Sequence, residues 1–183
     1  MNFNGVVNGV QAAYPAMLRQ GFGHLVNTAS MAGLTTMPFM ASYCATKHAV
    51  VGLSKALRAE AQSRGIRVSV LCPGVIRTPL LEGGRHGIFL LPIAQERQRA
   101  VARQLFERFR PMEPSLFARK VLDQVARNRA IIVIPAWWRA LWWIERASPW
   151  LGLFVARRVV ARNWQRLVAA EAAARVRANR NGG

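Results

Sequence analysis

The stretch Gly23-His-Leu-Val-Asn-Thr-Ala-Ser30-Met-Ala-Gly33, together with Tyr43-Cys-Ala-Thr-Lys47, decides how this sequence folds. The residues between Gly23 and Ser30 form a short, apolar and partly β-branched run, which predicts a buried strand. Gly33 and the residues after it are typical of a loop, so we expect Ser30 just beyond the carboxyl end of that strand. A predicted helix follows. It carries Tyr43 and Lys47 on one face because they are four residues apart.

The segments on either side of this stretch alternate between helical and extended patterns. Apolar residues recur at three- and four-residue intervals before it, and β-branched runs closed by Pro73 and by Pro135 come after it. This alternation favours an α/β fold with a parallel sheet of at least three strands over a helix bundle. The predicted helices cover 6–19, 42–63, 93–109 and 115–127, and the predicted strands cover 24–29, 66–72 and 130–134.

Ser30, Tyr43 and Lys47 are the residues from which chemistry is expected. A phenol is a poor acid or base at neutral pH because its pKa is about 10. An ammonium about 4 Å away, at an effective dielectric constant near 20, contributes roughly 4 kcal/mol, on the order of three pKa units. The Ser30 hydroxyl can orient a carbonyl or alcohol oxygen towards the phenol. The three residues predict a general acid/base site, although the Tyr–Lys spacing alone also occurs by chance in many helices.

These residues belong to a series of motifs that resembles the short-chain dehydrogenase/reductase family. The stretches Gly23 to Gly33 and Tyr43 to Gly52 carry most of the resemblance. Asn2-Phe-Asn-Gly5 precedes them and Pro73-Gly-Val-Ile-Arg-Thr78 follows, so four motifs occur in the order and spacing of the family. The resemblance is clear over residues 1–80 and loose afterwards. It implies part of a Rossmann-like, doubly wound parallel sheet and an enzyme that uses NAD or NADP, between which the sequence does not choose.

The resemblance also implies a role for each matching residue. Tyr43 would exchange the proton, Lys47 would lower the pKa of Tyr43 and bind the nicotinamide ribose, and Ser30 would orient the substrate oxygen. Asn2 would hold a water that joins the lysine to the proton relay. The hydride chemistry would belong to the nicotinamide. The residues expected to bind the nicotinamide end of the cofactor are Tyr43, Lys47, Pro73, Gly74, Ile76 and Thr78.

The sequence departs from the family at its beginning. The family opens with a strand and a glycine-rich turn that binds the cofactor pyrophosphate. Gly83-Gly84 does not match that turn, because no predicted strand precedes it. We therefore expect an N-terminally truncated chain in which 1–135 is the later part of the catalytic domain and 136–183 is a helical extension. Residues 81–115 are rich in Gly, Arg and Glu, and we expect a lid over the substrate there.

The chain is strongly basic, with 26 lysines and arginines against 8 aspartates and glutamates, a formal net charge of +18. Such an excess favours polyanions, either nucleic acid or an anionic membrane surface. The charge is spread along the whole chain, which indicates a solvated basic surface, so we do not expect a nucleic-acid partner. Two cysteines without metal-ligand spacing, and an N-terminus unlike a signal peptide, predict a reduced cytoplasmic protein without a metal site.

The extension is rich in tryptophan and arginine. All six tryptophans occur from Trp137 onward, interleaved with arginines, and no charge-free run approaches the roughly 18 residues of a membrane span. Such a segment over 136–163 fits a helix lying in a membrane interface, with its basic groups near anionic headgroups. It equally fits a helix that covers an apolar pocket or a subunit contact. Both interpretations remain open.

Two functions follow from the sequence. The first is an oxidoreductase that interconverts a secondary alcohol and a ketone, with the tryptophan- and leucine-rich later part of the chain favouring a lipophilic substrate. The apolar faces of 6–19 and 42–63 would permit a homo-oligomer. The second is a truncated, non-catalytic remnant that binds a membrane or a partner through its basic, tryptophan-bearing surface.

Overall fold

Helices and strands alternate through the part of the chain that the computed structural model describes, which is residues 2–38, 40–78 and 107–162. The helices are α1 (Asn2–Gln20), α2 (Ala41–Ala61), α3 (Pro114–Ala126) and α4 (Trp138–Ala147), and residues 149–162 are also helical. The strands are β1 (Gly23–Thr28), β2 (Ile66–Pro73) and β3 (Ile131–Ile134), and short 3₁₀ helices cover Met31–Gly33 and Gln62–Arg64.

The three strands form one parallel sheet in the order β1-β2-β3. Thr28 at the end of β1 is in register with Leu71, and Pro73 at the end of β2 is in register with Ile134 at the end of β3. The carboxyl ends of all three strands therefore meet at one edge of the sheet. The parallel α/β fold predicted from the sequence is confirmed.

Helices pack on both faces of the sheet. Side chains alternate between the two faces along each strand, so each face has apolar groups for a helix to cover. Val70 and Val133 point to the side on which α2 and α4 pack, and they share a core cluster with Trp138. Leu71 and Ile132 point to the opposite side, where α3 packs. Between these two layers, β2 and β3 bury most of their side chains, as strands covered on both faces do.

The element boundaries lie close to the predicted ones. The predicted helix over 42–63 ends as an α-helix at Ala61 and tightens into a 3₁₀ turn, which Gly65 terminates in the left-handed conformation at φ +72°. The predicted lid over 81–115 and the predicted helix over 93–109 fall mostly outside the described residues.

The extension begins inside the packed body of the protein. Trp138, on the first turn of α4, has only 2% of its surface exposed and belongs to the same core cluster as Val133. The division of the chain into 1–135 and 136–183 stays a prediction. No helix in the described ranges is both long and apolar enough to span a membrane.

Candidate active site

Ser30, Tyr43 and Lys47 come together at the carboxyl edge of the sheet. Ser30 follows β1 and begins a 3₁₀ turn, in which its hydroxyl oxygen accepts a hydrogen bond from the Ala32 N–H at 3.2 Å. Tyr43 and Lys47 lie on the first two turns of α2. The Lys47 ammonium donates to the carbonyl oxygen of Thr28, the last residue of β1, at 3.2 Å. The end of β1 thus positions both the serine and the lysine.

Gly33 lets the turn that carries Ser30 approach α2 closely. A β-carbon at Gly33 would lie 2.5 Å from the carbonyl oxygen of Lys47 and 3.1 Å from Val51 Cγ2. Since a backbone atom cannot give way as a flexible side chain can, a side chain at this position would push the turn and the helix apart. The spacing between Ser30 and Tyr43 therefore depends on a glycine at position 33.

The pKa of Tyr43 is raised above its ordinary value, chiefly because the side chain is buried. A hydrogen bond with the Ser30 side chain offsets part of the rise, and Cys44 adds to it. The ammonium of Lys47 lies 5.5 Å from the centre of the Tyr43 ring. At this distance Lys47 is not among the groups that shift the pKa of Tyr43, whose net change is upward, in contrast to the lowering by Lys47 that we expected from the sequence.

Lys47 is the one lysine or arginine that is buried among the described residues. Burial lowers the pKa of its ammonium, and the neighbouring Cys72 thiol acts in the opposite direction. Burial also raises the pKa of Cys72 to about 12. A buried cation is costly unless its position serves a purpose, so Lys47 is a strong candidate for a functional residue.

A cavity of about 380 Å³ opens beside these residues. Every cofactor-binding residue predicted from the sequence contributes to its wall. The predicted residues that line it are Ser30, Tyr43, Lys47, Pro73, Gly74, Ile76 and Thr78. Asn2, the eighth predicted residue, is the first residue of α1. Its side chain is outside what the structure describes, but its neighbour Phe3 packs against the core cluster that contains Ala29.

The rest of the cavity wall is largely apolar and was not identified from the sequence. Its main contributors are Met37, Met40, Phe109, Phe117 and Trp138. The one sequence signal for this apolar wall was the tryptophan content of the extension, which was compatible with a helix that covers an apolar pocket. The indole N–H of Trp138 is buried without a hydrogen-bond partner.

The two histidines nearest the motifs make structural contacts. His24 Nε2 lies 2.8 Å from Ser69 Oγ, and His48 Nδ1 lies 2.9 Å from the Cys44 carbonyl oxygen. Neither lines the cavity. In the described ranges, no group of three or more His, Cys, Asp or Glu side chains lies together as a metal site would require.

The chain is similar to dehydrogenases of known sequence and structure. A family model described as short chain dehydrogenase matches residues 1–87. D-beta-hydroxybutyrate dehydrogenase of Rhizobium meliloti is 37% identical over 82 residues, which are 45% of this chain and 32% of that protein. A short chain dehydrogenase/reductase of Burkholderia phymatum, solved in complex with NAD, is 31% identical with a TM-score of 0.66, over 82% of this chain and 56% of that one.

A second solved structure extends the likeness to the other nicotinamide cofactor. The short-chain dehydrogenase of Sphingobium yanoikuyae, in complex with NADPH, is 25% identical with a TM-score of 0.58, over 88% of this chain and 53% of that one. The chain spans about a third of the length of the curated relative and about half the length of the two structures.

Proposed function

Because the chain belongs to the short-chain dehydrogenase/reductase family, we propose that it interconverts a secondary alcohol and a ketone with NAD or NADP as the hydride carrier. The observation that carries the proposal is the cavity at the carboxyl edge of the sheet. Seven of the eight residues matched to the family motifs line it, although they come from three separate segments of the chain. In open parallel sheets this edge is where ligands bind.

Tyr43 is the proton-transfer residue in this proposal. Its raised pKa keeps the phenol protonated at neutral pH, which is the form that donates a proton to a ketone oxygen as the ketone is reduced. Ser30, which hydrogen-bonds Tyr43, would hold that oxygen beside the phenol. Lys47 would act from its position over the tyrosine ring, with its ammonium 5.5 Å from the ring centre. Asn2 would complete the relay through a water.

The cavity fits the nicotinamide end of the cofactor. Pro73, Gly74, Ile76 and Thr78 line the cavity at the end of β2 and just beyond, and Gly74 has no side chain where Trp138 packs against it. A bound nicotinamide supplies or accepts the hydride. The chain's own residues then need only position the two reactants and move the proton.

The substrate we propose is lipophilic. Methionine and aromatic side chains make up much of the cavity wall, namely Met37, Met40, Phe109, Phe117 and Trp138. Such a wall gains free energy by burying apolar surface, about 25 cal/mol for each Å². Methionines adapt their shape to irregular ligands.

Oxidation of reduced nicotinamide in the presence of a ketone tests the proposal directly. We expect turnover by the wild-type chain and its loss in Tyr43→Phe, which removes only the hydroxyl. Tyr14→Phe is the matched control, because Tyr14 is the other tyrosine and packs on α1 away from the cavity. Across a series of ketones with longer alkyl chains, kcat/KM should rise. Equal turnover in Tyr43→Phe and wild type would disprove the assigned role.

A second function is favoured by the exposed tryptophans of the extension. In this alternative the catalytic residues are idle and the chain is a basic module that binds a membrane or a partner. It predicts no turnover with any ketone while surface binding persists. We also propose that the protein is cytoplasmic and forms a homo-oligomer. The apolar faces of α1 and α2 would form the contact between the copies. Sedimentation velocity tests whether such an oligomer forms.

A further inference from the structure

Helix α4 separates the cavity from an exposed apolar surface. On one side Trp138 lines the cavity, and the Glu145 carboxylate accepts hydrogen bonds from the Thr36 N–H at 2.8 and 2.9 Å and from its hydroxyl at 2.6 Å. On the other side Trp143 has 58% of its surface exposed, and Ile144 is exposed beside it. The inward side is therefore fixed to the body of the protein, and the outward side is open.

The helical residues 149–162 continue this open surface. Trp150 is 81% exposed and Phe154 is 51% exposed, and Leu151 is exposed between them. Soluble monomers rarely present so many large apolar side chains in one short segment, and such patches mark interaction sites. We call the outward residues of α4 and of 149–162 the tryptophan–arginine face.

The charge of this face is entirely positive. Its five arginines are Arg139, Arg146, Arg157, Arg158 and Arg162. None of them has an ion-pair partner among the described residues. Glu145 is the one acidic residue between 137 and 162, and it points inward to Thr36. Two of the arginines stack on the apolar groups: Arg158 lies 4.7 Å from the Phe154 ring centre and Arg146 lies 5.9 Å from that of Trp143.

We propose that the tryptophan–arginine face docks on an anionic lipid surface. Tryptophan and leucine side chains enter the headgroup region while arginines beside them reach the phosphates, so both components of the face find partners at once. A second copy of the chain fits poorly, because its identical face would bring arginine against arginine. Nucleic acid fits poorly as well, because the exposed aliphatic residues Leu151, Leu153 and Val155 would meet polar phosphates.

The tryptophan–arginine face and the cavity share helix α4. Trp138 and Trp143 are five residues apart on α4, so one helix contacts the cavity and the proposed lipid surface from opposite sides.

Co-sedimentation of the full chain with vesicles tests the docking. We expect binding to vesicles of phosphatidylcholine mixed with phosphatidylglycerol, and little binding to phosphatidylcholine alone or to the mixed vesicles at high salt. Changing both Trp143→Ala and Trp150→Ala should lower the partition coefficient by more than about tenfold, because apolar contact with the bilayer is lost. Changing both Arg157→Gln and Arg158→Gln should lower it by about twenty-five-fold, at about fivefold for each arginine near an anionic surface.

Helix α3 provides matched controls on the other face of the sheet. Leu122 is 68% exposed, and Arg119 is also exposed. Leu122→Ala and Arg119→Gln should leave vesicle binding unchanged. Tyr43→Phe should bind vesicles like wild type while losing turnover, which keeps the docking and the proposed enzyme activity separately testable.

Three outcomes would overturn the proposal. The first is wild-type binding by both double variants, and the second is failure of the wild-type chain to bind the mixed vesicles. The third is a wild-type dimer that becomes a monomer in the tryptophan double variant, which would assign the face to a second copy. The substituted tryptophan, arginine and leucine side chains are all exposed, and unchanged far-ultraviolet circular dichroism would establish that the variants fold.

Discussion

Trp138 lies directly against Gly74, so that a β-carbon on Gly74 would stand 2.1 Å from the indole nitrogen and 2.4 Å from Cδ1. The indole cannot move aside easily, because it packs between Trp137, at 4.4 Å between ring centres, and Phe109, at 5.3 Å. The loop after β2 and the helix after β3 therefore meet through a position that has no side chain. This contact closes one end of the candidate active site.

Gly74→Ala is expected to destabilise the protein by about 2 kcal/mol, because the added methyl group must displace a rigid ring in a packed core. Urea unfolding measures the change. Gly52→Ala is the control, since a β-carbon at Gly52 on α2 meets nothing within 4 Å. That substitution should stabilise the chain by up to about 1 kcal/mol through helix propensity. Equal unfolding free energies for Gly74→Ala and wild type would contradict the close contact.

The sequence predicted the elements of the fold because each has a strong local pattern. β2 is an apolar, β-branched run that ends at Pro73, and α2 has an apolar stripe that ends before Gly65. Patterns of this kind reflect burial on one or both faces, which is a property of the local sequence. The observed strand order β1-β2-β3 agrees with the rule that consecutive strands tend to be neighbours, although the sequence analysis predicted no order.

The polar part of the site could be predicted and the apolar part could not. Ser30, Tyr43 and Lys47 lie in motifs with fixed spacing, so their meeting at one edge follows from the fold. Trp138 and Phe109 reach the cavity through packing between segments distant in sequence, for which no local pattern exists. The direction of the Tyr43 pKa shift was also beyond the sequence, because it depends on how deeply the phenol is buried in the folded protein.

His24 should make the stability of the protein sensitive to mild acid. Ser69 Oγ donates its hydrogen to the Arg129 carbonyl oxygen at 2.7 Å, so His24 Nε2 must be the donor in its own contact with Ser69. Partial burial, together with Arg67 and Arg58, lowers the pKa of His24 below 6.5. The unfolded chain therefore takes up a proton at a higher pH than the folded protein does.

It follows that the free energy of unfolding should decrease as the pH falls from neutral through 6.5 towards the lowered pKa of the folded state. His24→Gln should flatten this decrease while keeping a donor for Ser69. His48→Gln, on the exposed side of α2, is the matched control substitution. Thermal unfolding at a series of pH values measures both, and identical profiles for His24→Gln and wild type would rule the assignment out.

Cys72 should be inert towards alkylation while the protein is folded. Its side chain has no exposed surface, and burial raises the pKa of the thiol to about 12, so the reactive thiolate does not form at neutral pH. Cys44 is only half-buried and serves as the internal comparison. Iodoacetamide followed by mass spectrometry should find Cys44 modified first, with Cys72 modified only after denaturant is added. Equal native rates would contradict the burial of Cys72.

The raised pKa of Cys72 also predicts that the folded protein loses stability at alkaline pH. The unfolded chain loses the Cys72 proton at about the ordinary thiol pKa of 9.0, whereas the folded protein keeps it until about 12. Unfolding is therefore favoured increasingly as the pH rises above 9.0. Cys72→Ala should reduce this decline, and Cys44→Ala should reduce it less.

Glu145 should control how firmly α4 closes the cavity. Its two carboxylate oxygens accept three hydrogen bonds from Thr36, which lies in the loop after Ser30, and Trp138 on the same helix reaches the cavity wall. Because the contact is exposed, its loss in Glu145→Ala should cost only about 1 kcal/mol of stability. The larger effect should fall on substrate binding: KM for a lipophilic ketone should rise several-fold with kcat nearly unchanged, since the proton-transfer residues stay in place. Glu60→Ala, at an exposed position of α2, is the control. A fall in kcat with KM unchanged would show instead that Glu145 acts on the chemical step.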